Sequence, residues 1–545
     1  MKKALLALVT SLLFLVPAAA QSVEGHLVDA VQFYSDGQYE RARKLLTTLS
    51  AAAPGNDAVW YYLALTESAC KNLKGAEEAL QKAVALDSSN YWYRRMLARM
   101  YFVTQRPDEG VALYEALVRD FPEDENASYE LLDIYLSRKQ FQPALDILAD
   151  IERQRGLSEE VLRTRYDVLS AMGRQEEGVE ELEKFNREYA SAQILSMTGD
   201  YYLSQFSDSL AQVRYQEALA LDSSYVPAIL GMSEVHRHQR RYPEFFKTLE
   251  PFFASADVPA PSKSMYIGNL TRGIDPKILQ LHRAGFDSLV QMAGHTHPAD
   301  SSVLQAGGSY YYTTGRPEEA GKWFRSAADQ FPESLSQTAT YIQYLSLQKK
   351  WEELRDRSVQ AFDRFQELAF LDYANMANYQ LEDYDAIIGN SQYIISNNPK
   401  DKTLCTGAYS MMGDAYHSKG DSRQAYKAYE KALKLNPDYA PVLNNYAYYL
   451  SIEGKKLKKA YAMSKKTVEQ EPDNATYLDT FGWILHLMGR DLEAKPFFKH
   501  AMLYGGKDSA VILQHYATVL EVLGEADTAK VYRNQARRLE ENPKP

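Results

Sequence analysis

The sequence predicts an all-α fold, a solenoid of about fifteen stacked helix pairs. Three observations predict it. A 34-residue pattern recurs in register along nearly the whole chain of 545 residues. Within each copy, small and large apolar residues return at helical spacing. Glycines and prolines fall at fixed places between the apolar runs, where helices turn and stop.

The copy at 406–439 is the clearest. Gly413, Tyr416, Gly420, Ala425, Tyr429, Ala432 and Pro437 stand at positions 8, 11, 15, 20, 24, 27 and 32 of that unit. Counted from Ser301, Gly308, Tyr311, Gly315, Ala320, Phe324, Ala327 and Pro332 take the same offsets. Counted from Ala475, Gly482, Gly489, Ala494, Phe498 and Ala501 take most of them. Small residues at positions 8 and 20 let two antiparallel helices approach. The larger residues at 11 and 24 fill the space between them. One pair cannot bury its own apolar face, so neighbours must stack. This spacing resembles the tetratricopeptide repeat (TPR) family, whose period is 34 residues. The resemblance implies a right-handed superhelical solenoid of TPR-like pairs, with the first helix of each pair lining a concave face.

The chain opens with a segment of another kind. Lys2 and Lys3 precede a predominantly apolar stretch of 13 residues, 4–16, and Ala18, Ala19 and Ala20 follow, ahead of Gln21. This pattern predicts a cleaved signal peptide over residues 1–20. The apolar run is short for a membrane span, and no cysteine follows the predicted cut to carry a lipid. The expected product is exported, to the periplasm, the outer-membrane periphery or the exterior, and does not span a membrane. Its loss of Lys2 and Lys3 takes the formal charge from −11 to −13. That balance argues against general nucleic-acid binding, which needs basic surface. Cys70 and Cys405 lie far apart in the repeat and are expected to be small packing residues rather than a disulfide.

The N-terminal array spans 21–241. Its first three units carry Ala30, Phe33, Ala42 and Leu46, then Trp60, Ala64, Ala76 and Leu80, then Leu97, Ala98, Tyr101 and Tyr114. Looser copies run to about residue 223. The register fails over 242–300, read as degenerate repeats that form a joint or, as the alternative, as two divergent repeats with no bend. Pro243 and Pro251 interrupt it, the 258–261 run Val-Pro-Ala-Pro cannot be helix interior, and a shorter helix pair is expected at 262–272 and 276–292. The C-terminal array, 301–545, ends in a capping helix at about 527–540 with Lys530, Arg533, Arg537 and Arg538 exposed. Its runs LNNYAYYL (443–450) and YLDTFGW (477–483) resemble exported bacterial TPR-array proteins.

Mapping the family's inward positions places Asp414, His417, Asn444, Asn445, Tyr448, Asp479, Trp483 and His486 on one partner-binding surface, with Gln514 and His515 beyond them. An amide at Asn445 can donate to and accept from a peptide backbone at once. Trp483 and Tyr448 offer flat apolar anchors. A second surface gathers Tyr61, Tyr62, Trp92, Arg95 and Arg99, suited to an acidic peptide or a sugar. The family's carboxylate clamp does not carry over. Ser410 and Asp414, then Thr476 and Thr480, stand where its basic and amide residues belong. Of the close histidine pairs, His236 and His238 do not share a helix face, and His295 and His297 sit in an expected loop with Asp300. No metal, cofactor or catalytic motif is read from the chain. The expected function is a non-catalytic exported scaffold that binds protein or peptide; the alternative is a module binding carbohydrate or an envelope polymer through concave aromatics.

Overall fold

The computed structural model describes residues 15–454 and 456–541, so most of the expected leader lies outside the described residues. These residues form 31 α-helices and no strand. By contacts the chain divides into two units, between Pro251 and Phe252. The first is a run of helix pairs from Leu15–Ser35 with Tyr39–Ala52 to Val226–His238 with Tyr242–Ala254, the helix that holds the boundary. The second runs from Ala260–Gly273 to the last pair, Ala510–Val522 with Ala526–Glu541. Each unit is an α-solenoid. Within each, first helices also pack on the first helix of the next pair, which makes them the inner row.

Local sequence explains where helices begin. The side chains of Asn56, Asn90, Asp124, Ser158 and Ser191 accept a backbone N–H at the start of first helices in the first unit. Asp300, Ser334, Asp401, Asn474 and Ser509 do so in the second. Each cap satisfies a donor the helix cannot, worth about 1 kcal/mol.

The turn inside each pair is equally regular. Gly37, Lys71, Gln105, Lys139 and Gly173 all take a left-handed backbone, as do Gly315, Lys349, Gly420 and Gly454. Position 15 therefore demands positive φ whether or not it is glycine. Phe206 meets that demand at φ 55° with its ring 86% exposed. Relief of about 1–2 kcal/mol of left-handed strain, less about 0.5–1 for glycine's chain entropy, predicts that Phe206→Gly stabilises the protein by about 0.5–1 kcal/mol. Gly420→Ala should destabilise it by a similar amount. Urea midpoints of the two variants check both signs.

The core repeats one contact. A Cβ built on Gly199 would lie 2.6 Å from the Tyr215 ring, on Gly308 2.5 Å from Phe324, and on Gly482 2.7 Å from Phe498; on Gly413 it would strike Tyr429. In every case the ring stands sixteen residues after the glycine, position 24 against position 8. Ala64 and Leu80, and Ala98 and Tyr114, occupy the same two positions in buried form.

Four local expectations are corrected. The first helix of the degenerate pair is Ala260–Gly273, longer than 262–272, because Pro261 falls in its first turn, where a missing N–H costs nothing. The second is broken at His282 into Pro276–Leu281 and Arg283–Thr296. The expected loop at 294–298 begins as the last turn of that helix, pinned by the Thr296 hydroxyl donating to the carbonyls of Met292 and Phe253. Cys405 is buried, but Cys70 is only half-buried; both are free thiols.

Candidate functional site

The inner row of the second unit is built from first helices: Leu368–Gln380, Lys402–Ser418, Ala440–Ile452, Ala475–Leu487 and Ala510–Val522. Two polar contacts reach from one first helix to the neighbouring one. Asn445 Nδ2 donates to Asp414 Oδ1 at 3.0 Å. His515 Nδ1 lies 3.0 and 3.2 Å from the two oxygens of Asp479. These polar rungs span adjacent repeats at spacings near the 34-residue period.

The predicted residues do not all face outward. Asn444 and Asp479 are 4% and 5% exposed, so they sit beneath the surface expected to hold a ligand. Asn444 Nδ2 donates to Asn445 Oδ1 at 3.3 Å. Asp414 also receives the Tyr429 hydroxyl at 2.6 Å. Burial pushes its carboxyl above the usual range, against those two hydrogen bonds. His417 stacks on Tyr449 at 3.4 Å between ring centres, and burial lowers its imidazole. His486 Nδ1 meets Asp491 Oδ1 at 2.5 Å, which ties the first helix to the second within its own pair. Trp483 stacks on His515 at 4.0 Å and lies beside His486 at 4.8 Å. Asn445, Tyr448, Trp483 and His515 remain half-exposed and form the accessible part of the patch.

His515 belongs to this site more firmly than sequence mapping indicated, and Asp372, Tyr379 and Tyr439 were not singled out at all. The signal for Tyr439 was available only in space, because it precedes its helix as the cap residue.

The second predicted surface, in the first unit, comes out differently. Trp92 is 61% exposed and meets Tyr91 edge-on at 5.2 Å. Tyr61 lies tilted against Tyr93 at 4.8 Å and meets Tyr62 edge-on at 5.6 Å, and Tyr61 and Tyr62 both pack against the core. Arg95 and Arg99 both bind Glu130, which the Tyr114 hydroxyl also reaches at 2.8 Å. The expected cationic surface for an acidic ligand is therefore already occupied by the chain's own carboxylate. Burial alone would raise Glu130, but hydrogen bonds from Arg95, Tyr114 and Arg99 hold it down to about 2. A depressed folded pKa gives stability that is present above the unfolded value of 4.5 and is lost as pH falls towards 2. Urea titrations at about pH 5 and about pH 3 should show a smaller acid loss for Glu130→Gln than for the parent chain.

One histidine of each pair finds a local partner. His236 is buried and His238 Nδ1 meets Asp208 at 3.3 Å. His297 Nε2 lies 3.0 Å from the Val258 carbonyl, and Asp300 caps the helix Ser301–Thr313. Among the described residues no three potential metal ligands come together, and no helix is long and apolar enough to cross a membrane.

Comparison with known proteins decides the family. Tetratricopeptide repeat models match residues 342–542, 33–100 and 95–157. The chain belongs to the tetratricopeptide repeat family. No curated protein sequence matches this TPR chain. Among solved structures it is similar to one titled Naa15/Naa10 bound to HypK-THB, at 11% identity and a TM-score of 0.36, over 94% of this chain and 99% of that one. It is also similar to a tetratricopeptide repeat protein from Parabacteroides merdae, at 12% identity and a TM-score of 0.37, over 45% of this chain and 94% of that one.

Proposed function

We propose that this TPR protein is a non-catalytic, exported scaffold that holds a protein or peptide partner along the inner row of its second unit, in an envelope-associated assembly. The observation that carries the reading is the polar ladder between first helices. It fixes Asn445 and His515 rigidly while leaving Asn445, Tyr448 and Trp483 accessible. Preorganised amide and aromatic groups of this kind bind an extended backbone without first having to be ordered. Export is supported by the charged start, the apolar run and the three alanines of residues 1–20.

The test is crosslinking capture from a cell envelope of the source organism, comparing mature protein with an Asn445→Ala/Trp483→Ala variant of unchanged helicity. Partners recovered only by the parent chain would support the reading. Equal recovery by both would remove this patch. Binding of carbohydrate or an envelope polymer through the first unit is less favoured, because Tyr61 and Tyr62 pack inward and leave Trp92 as the exposed ring of that set.

A further inference from the structure

The second unit separates its charges by helix. The seven first helices from Ser301–Thr313 to Ala510–Val522 contain no arginine and one lysine, Lys402, at the very start of its helix, besides the histidines His417, His486 and His515. The second helices and the turns carry the rest, and many of these cations are already paired: Lys350 with Glu318, Arg357 with Asp329, Lys419 with Asp385, Lys459 with Glu430, Lys495 with Glu525. The first unit does not follow this rule, since Arg94, Arg95 and Arg99 all stand on Tyr91–Val103.

Asp479 on the inner row meets His515, but Asp372 and Asp414 have no lysine or arginine paired with them. Asp414 receives only a phenol and an amide. Asp372, one repeat earlier, is exposed and has no hydrogen bond or ion pair with another described residue, although partial desolvation pushes its carboxyl upward. Tyr439 lies within electrostatic reach of both acids, and Tyr379 and Tyr449 within reach of Asp414. All three rings are half-exposed. A further acceptor lies in the same cluster: Asn444 Oδ1 is buried and has no hydrogen-bond partner, while its Nδ2 leads through Asn445 to Asp414. Carboxylates with aromatic rings nearby suit an ammonium or guanidinium group, by ion pairing and by attraction to the ring quadrupole.

We propose that the inner row of the second unit takes a lysine- or arginine-bearing segment of its partner, with Asp372 and Asp414 receiving the cation between Tyr379, Tyr439 and Tyr449. This rests on the scaffold reading above and names the chemistry of its partner.

The test uses the full chain and three labelled probes: short alternating peptides of alanine with lysine, with glutamine and with glutamate. Fluorescence anisotropy reads affinity. The lysine peptide should bind tightest. Asp372→Asn/Asp414→Asn should weaken it about tenfold. Asp372→Asn alone should weaken it in part; Asp372 has no partner to lose, so this variant keeps the test sound if Asp414→Asn disturbs the fold. Glu318→Gln/Asp385→Asn removes the same charge from the second helices and should leave affinity unchanged. Equal weakening by the inner and outer pairs would reduce the effect to bulk electrostatics and overturn the proposal. So would failure of the lysine peptide to bind. If the glutamine peptide binds as tightly and Asn445→Ala still abolishes it, the cation proposal falls while the peptide-scaffold reading stands. If no peptide binds and envelope capture is also insensitive to Asn445→Ala/Trp483→Ala, both fall.

Discussion

Tyr429→Ala should cost about 3–5 kcal/mol, the range for emptying a fully buried aromatic site. Tyr429 has no solvent exposure. Its ring fills the hollow that Gly413 leaves, stacks near Tyr446 and Tyr449, and sends its hydroxyl to Asp414. Collapse cannot repair the void, because Gly413 offers no side chain to move into it. Tyr429→Phe isolates the hydroxyl and should cost about 1–3 kcal/mol, since Asp414 then keeps only Asn445 as a donor. The two variants also differ in their response to pH. Asp414 has a raised folded pKa, so its contribution to stability is least unfavourable below its unfolded value of 3.8 and worsens as pH rises through the folded value. Losing the phenol raises that folded value further. The Tyr429→Phe deficit should therefore shrink in acid, while the Tyr429→Ala deficit, mostly cavity, should persist. Urea unfolding followed by Trp483 fluorescence at about pH 4 and about pH 7 separates them.

The same residues show what the sequence made legible. Gly413 and Tyr429 were readable as a packing pair because the period repeats, and Gly308 with Phe324 and Gly482 with Phe498 repeat the geometry. Periodicity reports a constraint common to all copies, such as close helix approach or a left-handed turn. It does not report what one copy does alone. Asp414 illustrates the difference. Its position was read as inward, but its role as acceptor for Tyr429 is structural, and Asp200 does the same for Tyr215 in the first unit. Asp479 was read as a contact residue, yet it is buried under His515. Arg95 and Arg99 looked available until Glu130, one repeat further on, was found between them. For Asp479 and for Arg95 and Arg99 the partner lies about one period away, on a side chain the repeat pattern leaves free to vary; for Asp414 it is on the second helix of its own pair. Ten of the forty tyrosines join ring and carboxylate in one device. Tyr93, Tyr114, Tyr135, Tyr310, Tyr341 and Tyr446, among others, give a ring to the core and a hydroxyl to a carboxylate. An aromatic residue with a polar tip suits a thin solenoid, where one end of a core side chain is often close to water.

Where the period fails, a different device takes over, and it sets the second large expectation. Lys263 is fully buried. Its Nζ donates to the carbonyls of Phe253 and Ser255, at 2.9 and 2.7 Å. These carbonyls belong to the end of a helix and the turn after it, which no following repeat helix covers in the usual way. Loss of the helical pattern here leaves acceptors that the fold must satisfy by other means. Lys263→Ala removes the donor and the packing of the alkyl stem together. The Phe253 carbonyl retains the Thr296 hydroxyl, so one acceptor is stranded rather than two, and a loss of about 2–4 kcal/mol is expected. Lys263→Met restores most of the stem without the donor and also removes the cost of burying an ammonium, so it should lose less. Burial lowers the lysine's pKa, which means the charged form is the costly one. Stability should therefore rise as pH climbs towards the unfolded value of 10.5 in the parent chain and stay flatter in both variants. Hydrogen exchange at 253–263 is the direct readout. Protection that survives Lys263→Ala would show that packing of Phe252 and Phe253 with Tyr266, at 5.7 and 5.9 Å, holds this turn without the lysine.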